Sequence, residues 1–434
     1  MYYLKPLACI IFMLIVAGIL AVSLPGVAIQ SAGDQDLKRA DELFRRGQFN
    51  EAAQLYAQVA KKNPDSYGAA IGLGRIFVLR NSLDNAETWV KKAMALKPGE
   101  KEPKALMGEI LYRQDKYFQA APYFEAIGQD AKAEKLSAFK DKAPFLIERG
   151  PEVTTLPFIQ TDPLPIIELT VNGQKGMFLI DTGAWELHIM PAFAEKCRIK
   201  PLTQKQVGIF AGGRQAASGN GVADTVFLGD FSVRNVPVVL PEAPQGPFSI
   251  DGIVGTVVLY HFKFTLDYPA GKLILRRFPP AISKKPITEP EPEGAARTRF
   301  WLLGDHLIFA RGTVNGIGPY LFLVDTGMAG GGFDCPKSVI DEARIELSRE
   351  GLQGMGGGGA ITVYPITVNL TLGAARRDNV RGLYGAIPPD FEYRNGFRMG
   401  GLISHGFFRP FVVTFDFKTM TLAMKQDSSA DSLE

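Results

Sequence analysis

A chain of 434 residues exceeds what one hydrophobic core holds, so several domains are expected. Apolar residues at 46% and charged residues at 21% are ordinary for a globular protein, which sets disorder aside. A net charge of +3 without a basic run interleaved with aromatics speaks against nucleic acid as a partner; four scattered histidines and three cysteines without Cys-x-x-Cys speak against a zinc site.

Taken in order, the chain opens with eighteen uncharged residues, Leu7 to Leu24, preceded by Lys5. That length just spans a bilayer and exceeds the usual apolar core of a signal peptide. It predicts a membrane anchor over residues 7–24, within a targeting segment of residues 1–30. Gly26-Val27-Ala28 offers a small-residue cleavage site, so secretion after cleavage is the alternative. Either outcome predicts export, to the periplasm or the cell exterior. Cys9 lies at the start of the apolar run rather than after it, which argues against a lipoprotein. Cys197 and Cys335 could oxidise outside the cell, but their places do not correspond in the duplication described below, and two free buried thiols are expected.

Residues 34–140 lack strand alternation and repeat with a period of 34. Ala40, Gly74 and Gly108 share one place, Phe49, Leu83 and Tyr117 another, Ala52, Ala86 and Ala120 a third, and Pro64 and Pro98 a fourth. Small residues at fixed places let paired helices approach closely. The pattern resembles tetratricopeptide repeats, three helix-turn-helix units in an all-α array. Lys132 stands where the third closing proline is due, and the chain there is expected to run into a capping helix. The resemblance implies a protein partner on the repeats; a rigid spacer is the plainer alternative. Such arrays bury their own core, so a fragment from about residue 150 to 426 is expected to stand alone.

Residues 141–157 join the array to a first β domain, residues 151–278. In it Thr170-Val171-Asn172-Gly173, a strong hairpin signal, leads into Phe178-Leu179-Ile180-Asp181-Thr182-Gly183-Ala184. A carboxylate at the end of an apolar strand is costly unless used or paired. Some 70 residues later comes Gly252-Ile253-Val254-Gly255, then a strand pair closed by a turn, Lys263–Asp267 into Lys272–Leu275.

After a linker at 279–296 with five prolines, the same series returns over residues 297–426. Thr313-Val314-Asn315-Gly316 leads into Phe322-Leu323-Val324-Asp325-Thr326-Gly327-Met328. Gly401-Leu402-Ile403-Ser404 follows, then Val412–Asp416 into Met420–Met424. Each copy has a glycine-rich segment between its two signature elements, with Gly212 and Gly213 in the first and Gly356 and Gly357 in the second. No Lys-Ser/Thr follows either, so neither is a phosphate cradle. Residues 427–434 are expected to form a disordered tail.

The duplicated unit resembles the retropepsin-like aspartic proteases: Asp-Thr-Gly on one strand, and an apolar-apolar-Gly element late in the domain. The resemblance covers about residues 155–425, and its motifs are specific because they recur in order, twice. It implies two all-β acid-protease-like barrels after the helical array. It also implies a catalytic pair, Asp181 and Asp325, hydrolysing a peptide or protein substrate without metal or cofactor. Thr182 and Thr326 would interlock across the pair, and Gly183 and Gly327 would let amides approach it. Ile253, Val254, Gly255, Leu402 and Ile403 would form the late elements, and the glycine-rich segments would be flaps. Two carboxylates about 3 Å apart cannot easily both ionise, so one acts as base and the other as acid.

Two departures fall in the second copy. Met328 stands where the family has Ser or Ala, and Ser404 replaces the late glycine. His405 lies beside that element and reads as a packed or solvated histidine. Three arrangements stay open: one site shared by both halves, a homodimer with separate Asp181/Asp181 and Asp325/Asp325 sites, and an inactive peptide-binding scaffold.

Overall fold

The computed structural model describes residues 32–202, 206–209, 215–242, 249–279, 294–356, 359–388 and 390–427. The apolar segment 7–24, the cleavage alternative at 26–28, Gly212, Gly213 and Gly357, nearly all of the linker and the tail past 427 lie outside them. No helix among the described residues is long and apolar enough to cross a membrane.

Among the described residues the array has three helix pairs, α1 (Ala32–Arg45) with α2 (Phe49–Lys62), α3 (Tyr67–Leu79) with α4 (Leu83–Leu96), and α5 (Lys101–Arg113) with α6 (Tyr117–Glu125). The capping helix, α7 (Asp130–Ser137), follows. Each pair turns on a left-handed residue, Gly47, Asn81 or Asp115, again 34 apart. At the second turn Ser82 N donates to Phe77 O and Asn81 N to Val78 O, which satisfies the last carbonyls of α3.

The strands follow as β1 (Leu146–Arg149), β2 (Val153–Pro157), β3 (Ile166–Val171), β4 (Gln174–Ile180), β5 (Leu187–Ile189), β6 (Gln206–Ile209), β7 (Gln215–Leu228), β8 (Phe231–Pro241), β9 (Gly252–Val254), β10 (Phe262–Asp267) and β11 (Lys272–Arg277). The second half holds β12 (Ala296–Leu303), β13 (Leu307–Val314), β14 (Ile317–Val324), β15 (Phe333–Asp334), β16 (Leu352–Gly356), β17 (Gly359–Leu372), β18 (Ala375–Tyr384), β19 (Gly401–Ile403), β20 (Phe411–Asp416) and β21 (Thr421–Gln426). Both Asn-Gly pairs adopt positive φ, 47° and 82° at Asn172-Gly173 and 50° and 80° at Asn315-Gly316. These are the angles a two-residue hairpin requires. Of the described strands, β8, β5, β9, β4, β3 and β7 close a ring, and β1 pairs on β8. In the second half β15, β19, β14, β13, β17 and β18 follow the same order.

The late strand pairs do not stay with their own halves. They join one antiparallel sheet, β12-β21-β20-β10-β11-β2. At its centre Phe264 faces Phe415 with ring centroids 4.5 Å apart, and the Thr265 and Thr414 hydroxyls are hydrogen-bonded at 2.8 Å. The stretch at 141–157, expected only to join domains, supplies β1 and β2.

The array is not a spacer, and the expectation that it buries only its own core is overturned. Phe49 packs on Trp301 and Phe397 with ring centroids at 5.5 and 5.1 Å. Arg113, itself buried, donates to the carbonyls of Leu302 and Gly304 at 2.9 Å each. Tyr112, Phe124, Leu136 and Phe139 continue into the core of the first barrel. The amphipathic faces of these helices exceed what helix pairing alone covers, and the excess is buried on the barrels.

Candidate active site

The site is built twice. β4 runs parallel to β9, with Ile180 level with Val254, and β14 runs parallel to β19, with Val324 level with Ile403. Asp181 N donates to Val254 O at 3.1 Å and Asp325 N to Ile403 O at 3.0 Å. Each late element therefore anchors the backbone of its own acid.

The two copies then interlock. Thr182 Oγ1 donates to Val324 O at 2.9 Å and accepts from Thr326 N at 3.1 Å. Thr326 Oγ1 donates to Ile180 O and accepts from Thr182 N, both at 3.0 Å. Both threonines are fully buried. Gly183 N donates to Asp181 Oδ1 and Gly327 N to Asp325 Oδ1, each at 2.8 Å. A side chain at Gly183 would collide with the Asp325 carboxyl, and one at Gly327 with that of Asp181. Thus Asp181, Asp325, Thr182, Thr326, Gly183, Gly327 and the late-element residues Ile253, Val254, Gly255, Leu402 and Ile403 converge in one chain. Gly356 ends β16, away from these contacts in sequence.

Each carboxyl thus lies against the glycine two residues after the other's aspartate, which sets the two acids side by side. Burial raises both above the usual carboxylate range. Amide donors and the Asp325 hydrogen bond restrain the rise at Asp181. At Asp325 the neighbouring Asp181 charge adds to burial and holds it well above that range. The two therefore titrate as a pair, one carboxyl ionised and the other protonated between the two macroscopic values.

The two departures in the second copy form one unit. Gly255 is confined, because a Cβ there would meet the Trp185 and Glu186 carbonyls. The loop from Asp325 to β15 is longer than that from Asp181 to β5, and leaves room for Ser404. Its Oγ accepts from Met328 N and donates to Met328 O, both at 3.1 Å. Ser404 thus fixes the residue that the longer loop would leave loose.

Several neighbours escape motif reasoning. Thr256 Oγ1 donates to Thr182 O at 2.8 Å. Asp162 in the first half accepts from Arg409 of the second at 2.7 Å, and lies 3.3 Å from Nε2 of the buried His405. Burial lowers the His405 pKa despite that carboxylate. Asp305 pairs with Lys132 at 3.1 Å and with His306 Nδ1 at 2.6 Å. Burial acts to raise the Asp305 carboxyl, but these two partners outweigh it and hold it well below the usual range. The signal was the duplication itself: Asp162 precedes Leu164 as Asp305 precedes Leu307. Cys197 and Cys335 are free, buried thiols, as expected.

The family model for aspartyl protease matches residues 167–258, from β3 through Asp181 and the first late element. A tetratricopeptide repeat model matches residues 37–101, the first two helix pairs. The chain therefore carries a retropepsin-like aspartyl protease domain behind N-terminal tetratricopeptide repeats. No curated protein matches it. A protease domain takes a protein or peptide as substrate, and the repeats are protein-interaction modules.

Proposed function

We propose that the protein is an aspartic endopeptidase with one site per chain, in which Asp181 and Asp325 activate a water molecule against a peptide carbonyl. The observation that carries this reading is the reciprocal Thr182–Thr326 bonding, which sets the two aspartates side by side. The ionised member of the pair accepts a proton from the attacking water, while the protonated member donates to the carbonyl oxygen as it gains charge. The member that took the water proton then passes it to the leaving nitrogen as the C–N bond breaks, and the other recovers a proton from the gem-diol, giving amine and acid and restoring the pair. Gly183 N and Gly327 N stabilise whichever carboxylate is charged. The β6–β7 and β16–β17 hairpins serve as flaps over the substrate. These intrachain bonds favour one shared site over homotypic sites in a dimer. Both acids are present, where an Asn at either place would have favoured an inactive scaffold.

In this reading residues 7–24 hold the enzyme to a membrane facing the periplasm or cell exterior, with secretion after cleavage at 26–28 as the alternative. The repeats recruit a substrate or partner protein. A cavity of about 420 Å³ between α1, α3, α5 and residues 395–396 offers one contact surface.

The test is a pair of single variants. Asp181→Asn and Asp325→Asn should each abolish peptide cleavage in a folded protein, since a shared proton needs both acids. Appreciable residual activity in either variant would overturn the single-site reading.

A further inference from the structure

We infer that α7, the last helix of the array, is a positioning element of the active site, gripping both walls of the dyad through Lys135 and Lys132. This rests on the reading of Asp181 and Asp325 as the catalytic pair. On the first wall, Glu186 lies five residues after Asp181 and its side chain is 1% exposed. Its backbone oxygen accepts from Gly255 N at 3.0 Å, which ties the Asp181 loop to the late element. Its carboxylate points the other way, into the array. Lys135 Nζ donates to both carboxylate oxygens at 2.8 Å, and the Tyr112 hydroxyl donates to one at 2.6 Å.

On the second wall, Lys132 holds Asp305 in the turn before β13, and Asp305 holds His306. The His306 ring lies 5.9 Å from that of Trp185, the neighbour of Glu186. The two lysines are three residues apart on one helix, so they share a face. That face reaches the first barrel with one and the second with the other.

The asymmetry of the halves has a matching form. Where the first half has Glu186 bonded to Gly255 N, the second has Gly332 bonded to Ser404 N, with no side chain to offer the array. Lys132 stands at the place where the proline period breaks. A buried ion pair that spans two structural units contributes orientation more than net stability. Catalysis by a carboxyl pair depends on sub-ångström placement, and misplacement by about 1 Å costs on the order of a hundredfold in rate.

The experiment uses the full chain and a short unstructured peptide, so that capture of a large substrate by the repeats does not enter. Lys135→Met and Lys132→Met should each lower kcat on the order of tenfold or more, with KM changed less than about twofold. Lys132→Arg, which keeps the charge opposite Asp305, should retain the wild-type kcat. Hydrogen exchange is read in parallel. Amides 183–187 should lose protection in Lys135→Met and amides 304–307 in Lys132→Met, while β20 and β21 stay protected. Unchanged kcat, or a change in KM alone, would overturn the positioning role and leave the array a recruiting module. If Lys135→Met unfolds globally, Lys132→Met, whose side chain is partly exposed, decides. If the wild type cleaves no peptide, the dyad reading fails. Exchange at the two walls then decides the clamp, with local loss supporting it and unchanged protection overturning it.

Discussion

Thr182 and Thr326 exchange hydrogen bonds in both directions, each hydroxyl accepting the other's amide and donating to the carbonyl that precedes the other's aspartate. Valine matches threonine in shape but lacks the hydroxyl. Thr326→Val would leave Thr182 N and Ile180 O buried and unpaired, at about 2 kcal/mol or more of stability. Urea unfolding should show that loss, with activity falling alongside it, and Thr326→Ser should recover most of both. Equal midpoints for the valine variant and wild type would deny the interlock its role.

A second expectation concerns the pH of catalysis. Neither Ala184 nor Met328 can donate a side-chain hydrogen bond to the dyad, and the Met328 amide is already taken by Ser404. A hydroxyl there would favour the charged carboxylate and lower its pKa. Without it both macroscopic values stay high, and the bell of kcat/KM should centre at weakly acidic to neutral pH. Ala184→Ser with Met328→Ser should move the profile toward acid. A profile that stays put or moves alkaline in an active double variant refutes the argument.

Asp334 gives a stability prediction of definite sign. Burial raises its carboxyl from 3.8 to about 6, against amide donors from Cys335, Ala386 and Ile387. The folded state therefore holds the proton more tightly than the unfolded chain. Its contribution is complete below the unfolded value and is lost as pH rises from about 4 to about 6, by about 3 kcal/mol. Asp334→Asn cannot titrate. The unfolding free energy of wild type relative to this variant should fall by about that amount over the same range. A constant difference between the two would show that the carboxyl does not titrate in this window.

Removing the array should not yield a working protease. A fragment starting near residue 150 loses the partners of Trp301, Phe397 and Glu186 together. A large exposed apolar patch promotes association, and the Glu186 carboxylate loses the lysine and tyrosine that orient it. Light scattering should report aggregates, and peptide cleavage should be lost. A monodisperse, active fragment would contradict the shared core.

What was legible in the sequence was local or repeated. Asn172-Gly173 and Asn315-Gly316 declare hairpins because their side chains suit positive φ. The two Asp-Thr-Gly runs identify each other by their matching surroundings. The 34-residue period places the helices because turn chemistry at Gly47, Asn81 and Asp115 recurs with it. What was not legible joins distant segments. Nothing periodic connects Lys135 to Glu186, Phe49 to Trp301, or β10 to β20. Ser404 read as a blemish in a motif until the longer loop beside it showed what its hydroxyl holds. Asp305 stood in view, but only its partner on the array gives it a role.

The shared sheet also bears on when the proposed activity can arise during synthesis. β10 finds its central partner in β20, and β20 is made some 150 residues later. Asp181 acquires its counterpart only when Asp325 has emerged, and the strand supporting that half, β21, ends at Gln426. A ribosome-bound chain holding only the first barrel has one carboxyl, no interlocking threonine, and an open sheet edge at β10. On the proposed reading such a nascent chain would cleave nothing, and it depends on timely delivery of the second half to cover that edge. On the proposed single-site reading, hydrolysis awaits synthesis of the second half through β21.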